Sequence, residues 1–463
     1  DYIDQSITKK DRYGHEFQAY GGDFGERPND GCFSGNGIVY GGDRDPSPKM
    51  QAVRYNYRSI VVTFTADNKI LVRNRNLFTS TSAYGCFVSI SKDGHDIAEY
   101  PMETNVTPLS EKEYELPGEV AEVIGGRCAV MNLRDGMKLS TDREKLAGEY
   151  VITVSFRLMH DTSWAKAGYE ISFEQKVIEQ PISLKKKTQY FIEEASKNDM
   201  QMSRCDSSAT DDRLKVIHGS LNIGVKGNDF DVMFSILTGG LISYRYAGHE
   251  MIESMPLPNF WRAPTNNDAG NMMMQRYAQW KTASMYITPK DLKGKIGEPE
   301  VQERMGSISV TFTYFMPTIP SSSCSVCYTV GKDGTVMTKL TCDPAKELPD
   351  MPEFGMMFKM NADYDHMTWY GLGPDETYSD RTQGAKLGIY HSLVSDNMAK
   401  YLVPQECGNK AGVRYGMVTD KLGQGMVFAG NGFNFSALPY SPHEIDNAQH
   451  PLELPEVPYT YVR

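Results

Sequence analysis

The sequence predicts a mainly β protein built from stacked sandwiches, on three observations. Apolar and polar residues alternate in short runs bounded by turn residues, as in "SIVVTFTADNKILVRNRN" and "EYVITVSFRLM". Convincing helical periods are few. Proline-rich or charge-rich breaks, "DRDPSPK" at 43–49 and the stretch 181–213, interrupt the chain where one packed layer must end and another begin.

Taken in order, residues 1–60 hold little that could build a core. Their longest feature, "AYGGDFGERPNDGCFSGNGIVYGGD" at 19–43, has two Gly-Gly pairs and a Gly-Asn-Gly but no helical period. Residues 61–182 read as a sandwich: strand, Ala-Asp-Asn-Lys turn, strand; then "CFVSISKDGHDIAEYPM" with a Lys-Asp-Gly turn; then "EYVITVSFRLM". "DREKLAG" reads as a short turn. A polar linker is expected over 183–209. Residues 210–463 form the last unit, a single large β-domain. It opens on about four strands in "LKVIHGSLNIGVKGNDFDVMFSILTGGLISYRYAGHEMI" and continues through "SISVTFTYFM", "SCSVCYTV" and "TVMTKLTC". The helix candidate within it is "NMMMQRYAQWKTASM" at 271–285.

Composition narrows the function. The chain has 463 residues and a net charge of −11, which argues against a nucleic-acid groove or an anionic membrane surface. Its apolar runs fall far short of the ~20 residues a membrane helix needs. Eight cysteines scattered over this length suit free thiols in a reducing compartment, so a cytoplasmic location is expected. Cys324 and Cys327 match C-x-x-C, but they sit in an alternating strand pattern that sends them to opposite faces, unlike a redox pair. The opening "DYIDQSITKK" has no apolar signal core and no initiator Met, and reads as the start of a processed product or of a piece of something longer.

Chemistry-bearing motifs are missing from the residues taken alone. "GNGIVYGG" and "GLGPDE" lack G-x-G-x-x-G spacing, no H-E-x-x-H occurs, and there is no G-x-S-x-G elbow. What remains is polar side chains crowded onto loops: 261–270 ("WRAPTNNDAG"), 370–381 ("YGLGPDETYSDR") and 404–409 ("PQECGN"). A purely structural account has Arg262 and Arg381 pairing with nearby Asp residues to pin them.

These loops, with "DYIDQS", "YGGDFGERPNDGCFSGNGIV", "DRDPSPKMQAV" and "DTSWAKAGYEISFEQ", resemble the C-terminal part of the large five-domain β-galactosidases of glycoside hydrolase family 2. The pieces fall in the same order and span nearly the whole chain. The resemblance implies that 1–60 are the last strands and loops of the catalytic (β/α)8 barrel, 61–182 an immunoglobulin-like sandwich, and 210–463 a β-supersandwich. It implies a sodium ion held by the Phe33 carbonyl and the Asn36 side chain, galactose near Asn36, and a weaker magnesium site at Asn29. Thr265–Gly270 resembles a loop that shifts when substrate settles.

The family's two catalytic glutamates would precede Asp1, so no residue here is assigned as catalytic. Asp4, Asp23, Glu26 and Asp30 are expected to pin loops. The implied function is one part of an enzyme that hydrolyses terminal β-D-galactosides, such as lactose, with retention. Its partners would be the galactoside, the missing N-terminal part of the enzyme, and further copies in a homo-oligomer. Three alternatives are a subunit of a split β-galactosidase, a non-enzymatic carbohydrate-binding β-sandwich protein, and part of a related family 2 enzyme with another sugar preference. The second needs an exposed aromatic platform, for which "YAQWKTASMY" at 277–286 is the candidate.

Overall fold

The computed structural model of the chain describes residues 2–65, 68–124, 128–132, 136–140, 148–179, 214–291, 293–457 and 459–463. The expected linker at 183–209 and the segment 142–147 lie outside them. The molecule is mainly β, as the alternation predicts, and its first segment differs in kind from the rest.

In that first segment Ile3 bridges Val39 in parallel. A parallel pairing needs a long crossover, and residues 4–38 supply it. The crossover contains the antiparallel hairpin Ile7–Lys10 and Glu16–Ala19 and the 3-10 turn Gly31–Ser34. Helix Lys49–Asn56 follows. A single parallel bridge across a long crossover, followed by a helix, is a connection that the antiparallel sheets of the other described residues do not use. The segment lies against the rest of the chain. The Tyr55 hydroxyl donates to Glu174 Oε2 at 2.7 Å, and Arg58 pairs with the same oxygen at 3.1 Å.

Two antiparallel sheets form the next layer pair. One orders the strands Glu170–Glu179, Glu149–Leu158, Tyr84–Lys92 and His95–Met102; the other pairs Ile60–Phe64, Lys69–Asn74 and Glu111–Glu115. Cys86, Val88 and Ile90 point inward at period two and meet Ile60, Val62, Ile70 and Val72 in one core. The strand Glu149–Leu158 departs from simple alternation. Tyr150, Ile152, Val154 and Phe156 enter that core, while Val151, on the opposite face, packs with Tyr370, Leu387, Tyr415 and Met417 of the C-terminal region. Both faces of this strand are therefore dry.

The C-terminal region is two sandwiches. In the first, a five-stranded sheet running from Lys215–His218 to His249–Glu250 packs on the four strands Glu300–Arg304, Ser307–Met316, Ser322–Gly331 and Val336–Cys342, around Phe234, Phe312 and Tyr328. In the second, Ser254–Asn259, Gly355–Asn361, Tyr459–Val462 and Ala437–Leu438 face Lys386–Leu393, His366–Gly373, Lys410–Thr419 and Gly425–Phe435, around Trp369, Val413 and Phe435. Cys324 is buried and Cys327 is half-buried within one regular strand, both as free thiols, which fits the alternating reading. The helical stretch over 271–285 is present as Met273–Arg276 and Ala278–Tyr286. Within it Trp280 is buried and donates to the Pro349 carbonyl at 2.9 Å, so that ring presents no face to a sugar.

One buried charge makes a testable feature of this region. Lys410 is 4% exposed, donates to the Pro374 carbonyl at 3.2 Å and stands 4.6 Å from the Trp369 ring centre. Burial lowers its pKa from 10.5 to about 8, against the pull of Glu376 and Asp375. Between these two values the unfolded chain binds more protons than the folded one, so this group makes stability rise with pH there. Relative to Lys410→Met, the wild-type chain should gain on the order of 3 kcal/mol as pH goes from below 8 to above 10.5. Urea unfolding of the two chains at a series of pH values measures the difference, and parallel curves would refute it.

Candidate functional site

Residues 31–38 form a turn held by hydrogen bonds along its length. The Phe33 N–H donates to the Asp30 carbonyl at 3.3 Å, and Gly35 N–H to Cys32 at 2.8 Å. From the opening residues, Gln5 N–H reaches the Ser34 carbonyl at 2.9 Å, and Ile38 N–H reaches that of Tyr2 at 2.9 Å. Asp4, buried at 6% exposure, accepts the Gly37 N–H at 2.6 Å, and Lys49 Nζ donates to the Gly37 carbonyl at 2.7 Å. Only glycine fits at 37, because a Cβ there would lie 2.3 Å from the Asp4 nitrogen.

Outward, the turn presents Phe33 and Asn36. Phe33 is 74% exposed. The Asn36 carboxamide is exposed and has no hydrogen-bond partner among the described residues. Ser34 Oγ is buried there without a partner. A hard cation prefers neutral and anionic oxygens, and a backbone carbonyl, a carboxamide and an orphaned hydroxyl on one turn fit that preference. Asn29 is placed differently. Its Oδ1 accepts the Gly31 N–H at 3.0 Å and its Nδ2 donates to the Glu26 carbonyl at 3.2 Å, so it closes the loop and keeps one lone pair for a ligand.

The acidic residues of this segment pin loops, as expected for three of the four. Asp4 holds Gly37. Asp23 accepts the Tyr20 N–H at 2.8 Å and meets His450 Nε2 at 3.0 Å. Glu26 takes the N–H groups of Gly22 and Phe24 at 2.6 and 3.1 Å. Asp30 contributes its carbonyl to the turn, while its side chain caps nothing.

Of the three polar loops, 261–270 touches this turn directly and the other two connect to it one through the next. Cys32 Sγ donates to Asn266 Oδ1 at 3.4 Å, and Asn266 N–H donates to Gln405 Oε1 at 3.2 Å. Leu402 packs on Gly35, where a Cβ would meet its Cδ1 at 3.0 Å. Helix Asn266–Gly270 begins in a capping box between Thr265 and Asp268, with Arg262 clamped on Asp268 at 2.8 and 3.2 Å. Arg262 thus has the expected Asp partner. Arg381 does not: it pairs with Glu376 at 2.5 Å, because Glu376 is the buried carboxylate of that loop. Glu376 also accepts from the Tyr401 hydroxyl and from Gly408 N–H, each at 2.7 Å. Loop 370–381 is thereby tied to both ends of 401–408. Alongside lies a cleft of about 900 Å³ whose lining includes Phe17, Tyr40, Lys400, Leu402 and Tyr440.

Sequence reading missed Lys49 and Gly37 as parts of this arrangement, and Glu376 as its anchor. Lys49 ends the "DRDPSPK" break and carried no signal there beyond composition. The Gly-Asn-Gly string marked Gly37 as a turn residue but not as a close approach.

Three family models match successive parts of the chain. Residues 1–62 match the family model of the glycosyl hydrolases family 2 TIM barrel domain, 70–179 that of β-galactosidase domain 4, and 226–463 that of the β-galactosidase small chain. A β-galactosidase of Halalkalibacterium halodurans is 39% identical over 100% of this chain and 41% of its own length. One from Priestia megaterium is 33% identical over 98% of this chain and 40% of its own. A β-galactosidase small subunit of Latilactobacillus sakei is 32% identical over 53% of this chain and 85% of its own. The chain therefore belongs to glycoside hydrolase family 2. Within that family its relatives are named β-galactosidases, and it spans about two fifths of the length of the long ones.

Proposed function

We propose that this chain is the part of a β-galactosidase that builds one wall of the sugar site and buttresses the barrel, while the two catalytic glutamates come from polypeptide outside it. The observation that carries the reading is the 31–38 turn. Within a segment that matches the family's barrel domain, it offers an unpartnered carboxamide at Asn36 and an exposed Phe33 beside an orphaned Ser34 hydroxyl. Asn36 faces galactose and, with the Phe33 carbonyl, holds sodium. Asn29 contributes to a magnesium site. The cations supply fixed positive charge that orients sugar hydroxyls. The chain's own residues bind and aim: Asn36 offers both a donor and an acceptor to a hydroxyl, and Phe33 covers an apolar sugar face and excludes water.

On this reading the reaction is retaining hydrolysis of terminal β-D-galactosides, lactose among them. It proceeds in the cytoplasm, in a homo-oligomer of the whole enzyme. The division into 1–60, 61–182, the linker 183–209 and 210–463 belongs to the same proposal. The Latilactobacillus small subunit favours a second form of it, in which the glutamates arrive on a separate chain.

Nitrophenyl-galactoside hydrolysis tests both forms. The chain alone should show no turnover, and turnover should appear on mixing with a fragment that carries the earlier barrel strands. In the active mixture Asn36→Ala should lower kcat/KM by about 10²-fold, the scale of a lost polar contact to the reacting sugar. Turnover by the chain alone would overturn the assignment. So would a stable mixture that stays inactive.

A further inference from the structure

The pair gripping Gly37 is unusual enough to need a reason. Lys49 is half-buried; among the described residues no carboxylate stands within ion-pair distance of it, and burial lowers its pKa against the longer-range pull of Asp4 and Glu376. Its ammonium is spent on one backbone carbonyl, with the Tyr401 ring 5.6 Å away. Asp4 is likewise buried and spends its carboxylate on one backbone N–H. Surface turns are ordinarily held by neutral bonds; ionised partners make hydrogen bonds about twice as strong. Here a negative and a positive group act on the two peptide units that flank one Cα. The first of those units is the Asn36–Gly37 peptide, so its plane sets the direction in which Asn36 projects.

We propose that Asp4 and Lys49 are positioning residues that aim the Asn36 carboxamide at the sugar. Both act through Gly37, and neither touches the ligand. The inference rests on the reading of Asn36 given above, and it assigns a role to two charged groups that the barrel-end fold does not otherwise require. Preorganisation of this kind matters because a misplacement of about 1 Å can cost ~10²-fold in rate.

A double-mutant cycle on the reconstituted mixture tests it. Asp4→Asn keeps the side-chain shape and removes the charge; Lys49→Met keeps the stem and removes the donor. Each should raise KM for the nitrophenyl galactoside about 3- to 10-fold, and Lys49→Arg should restore most of the loss. In the Asn36→Ala background neither change should move KM further, because the group they aim is gone. Additive effects would overturn the proposal, since a merely structural role adds. An unchanged KM in both single variants would overturn it as well. If Asn36→Ala alone has no effect, the reading of Asn36 fails first, and the two failures are thereby told apart. Lys49→Met decides the matter if Asp4→Asn does not fold. A stable mixture without turnover overturns the reading of Asn36 and this proposal with it. Amide exchange of the 463-residue chain tests the grip itself: faster exchange across residues 31–38 in both variants at unchanged Tm is expected, and unaltered exchange overturns the proposal.

Discussion

Glu149→Ala should lower the unfolding free energy by about 3–5 kcal/mol, among the larger losses a single change can produce in this chain. Glu149 is 2% exposed at the start of the strand Glu149–Leu158. Arg414, from the strand Lys410–Thr419, forks onto it with Nε to Oε1 at 2.8 Å and Nη2 to Oε2 at 2.5 Å. The Tyr370 hydroxyl donates to Oε1 at 2.8 Å. Removing the carboxylate takes both of its oxygens from the Arg414 guanidinium, which keeps only the Gly412 carbonyl, and takes Oε1 from the Tyr370 hydroxyl; a part-buried charge without its counter-charge dominates the cost. Glu149→Gln, which keeps acceptor geometry on one oxygen, should cost less. The double change Glu149→Ala with Arg414→Met should recover part of the loss, because no charge is then stranded. Equilibrium urea unfolding of these chains together with the single variant Arg414→Met completes the cycle. A loss under 1 kcal/mol for Glu149→Ala would mean water enters the seam.

Glu376→Ala should cost a similar amount, about 3–5 kcal/mol, with a second effect at the sugar wall. Its carboxylate satisfies Arg381, Tyr401 and the Gly408 N–H together. Tyr401 and Gly408 flank the stretch that carries Leu402 and Gln405, and these two touch Gly35 and Asn266. Loss of the carboxylate should therefore loosen the neighbours of the 31–38 turn as well as the loop that contains it. The measurements are thermal unfolding and limited proteolysis of wild-type and variant chains. A new cleavage between 398 and 410, appearing below the global transition, is the expected outcome. A lowered Tm without any local cleavage would assign Glu376 to global stability alone.

How much of this was legible in the sequence differs between the sheets and the site. The sandwich strands were legible because period-two burial is a local property. Cys86, Val88 and Ile90 point inward whatever lies across the sheet. The strand Glu149–Leu158 was legible as a strand but not as a seam, since the partner of Val151 lies in another domain's sheet. The barrel end was not legible from pattern at all. A parallel bridge between Ile3 and Val39 leaves no alternation to read, and resemblance alone located it. Within the site, Phe33 and Asn36 came from resemblance, and the structure puts both on one outward turn. Asn29 lies on the preceding loop with its amide already engaged. Arg381 was expected to take an Asp and takes Glu376, because burial rather than proximity in sequence selected the partner. The charges at Asp4 and Lys49 converge on Gly37 from different parts of the segment, and spacing could not announce that.

The strand with two dry faces has a consequence for how such enzymes can be divided between genes. A polypeptide carrying the C-terminal sandwiches without their neighbour would leave Tyr370, Leu387 and Tyr415 open to water and Arg414 without its counter-charge. That bare patch is adhesive and electrically unbalanced until the sandwich strand arrives. A separately encoded subunit cut here needs its mate present during synthesis, or a repainted surface of polar substitutions at those positions.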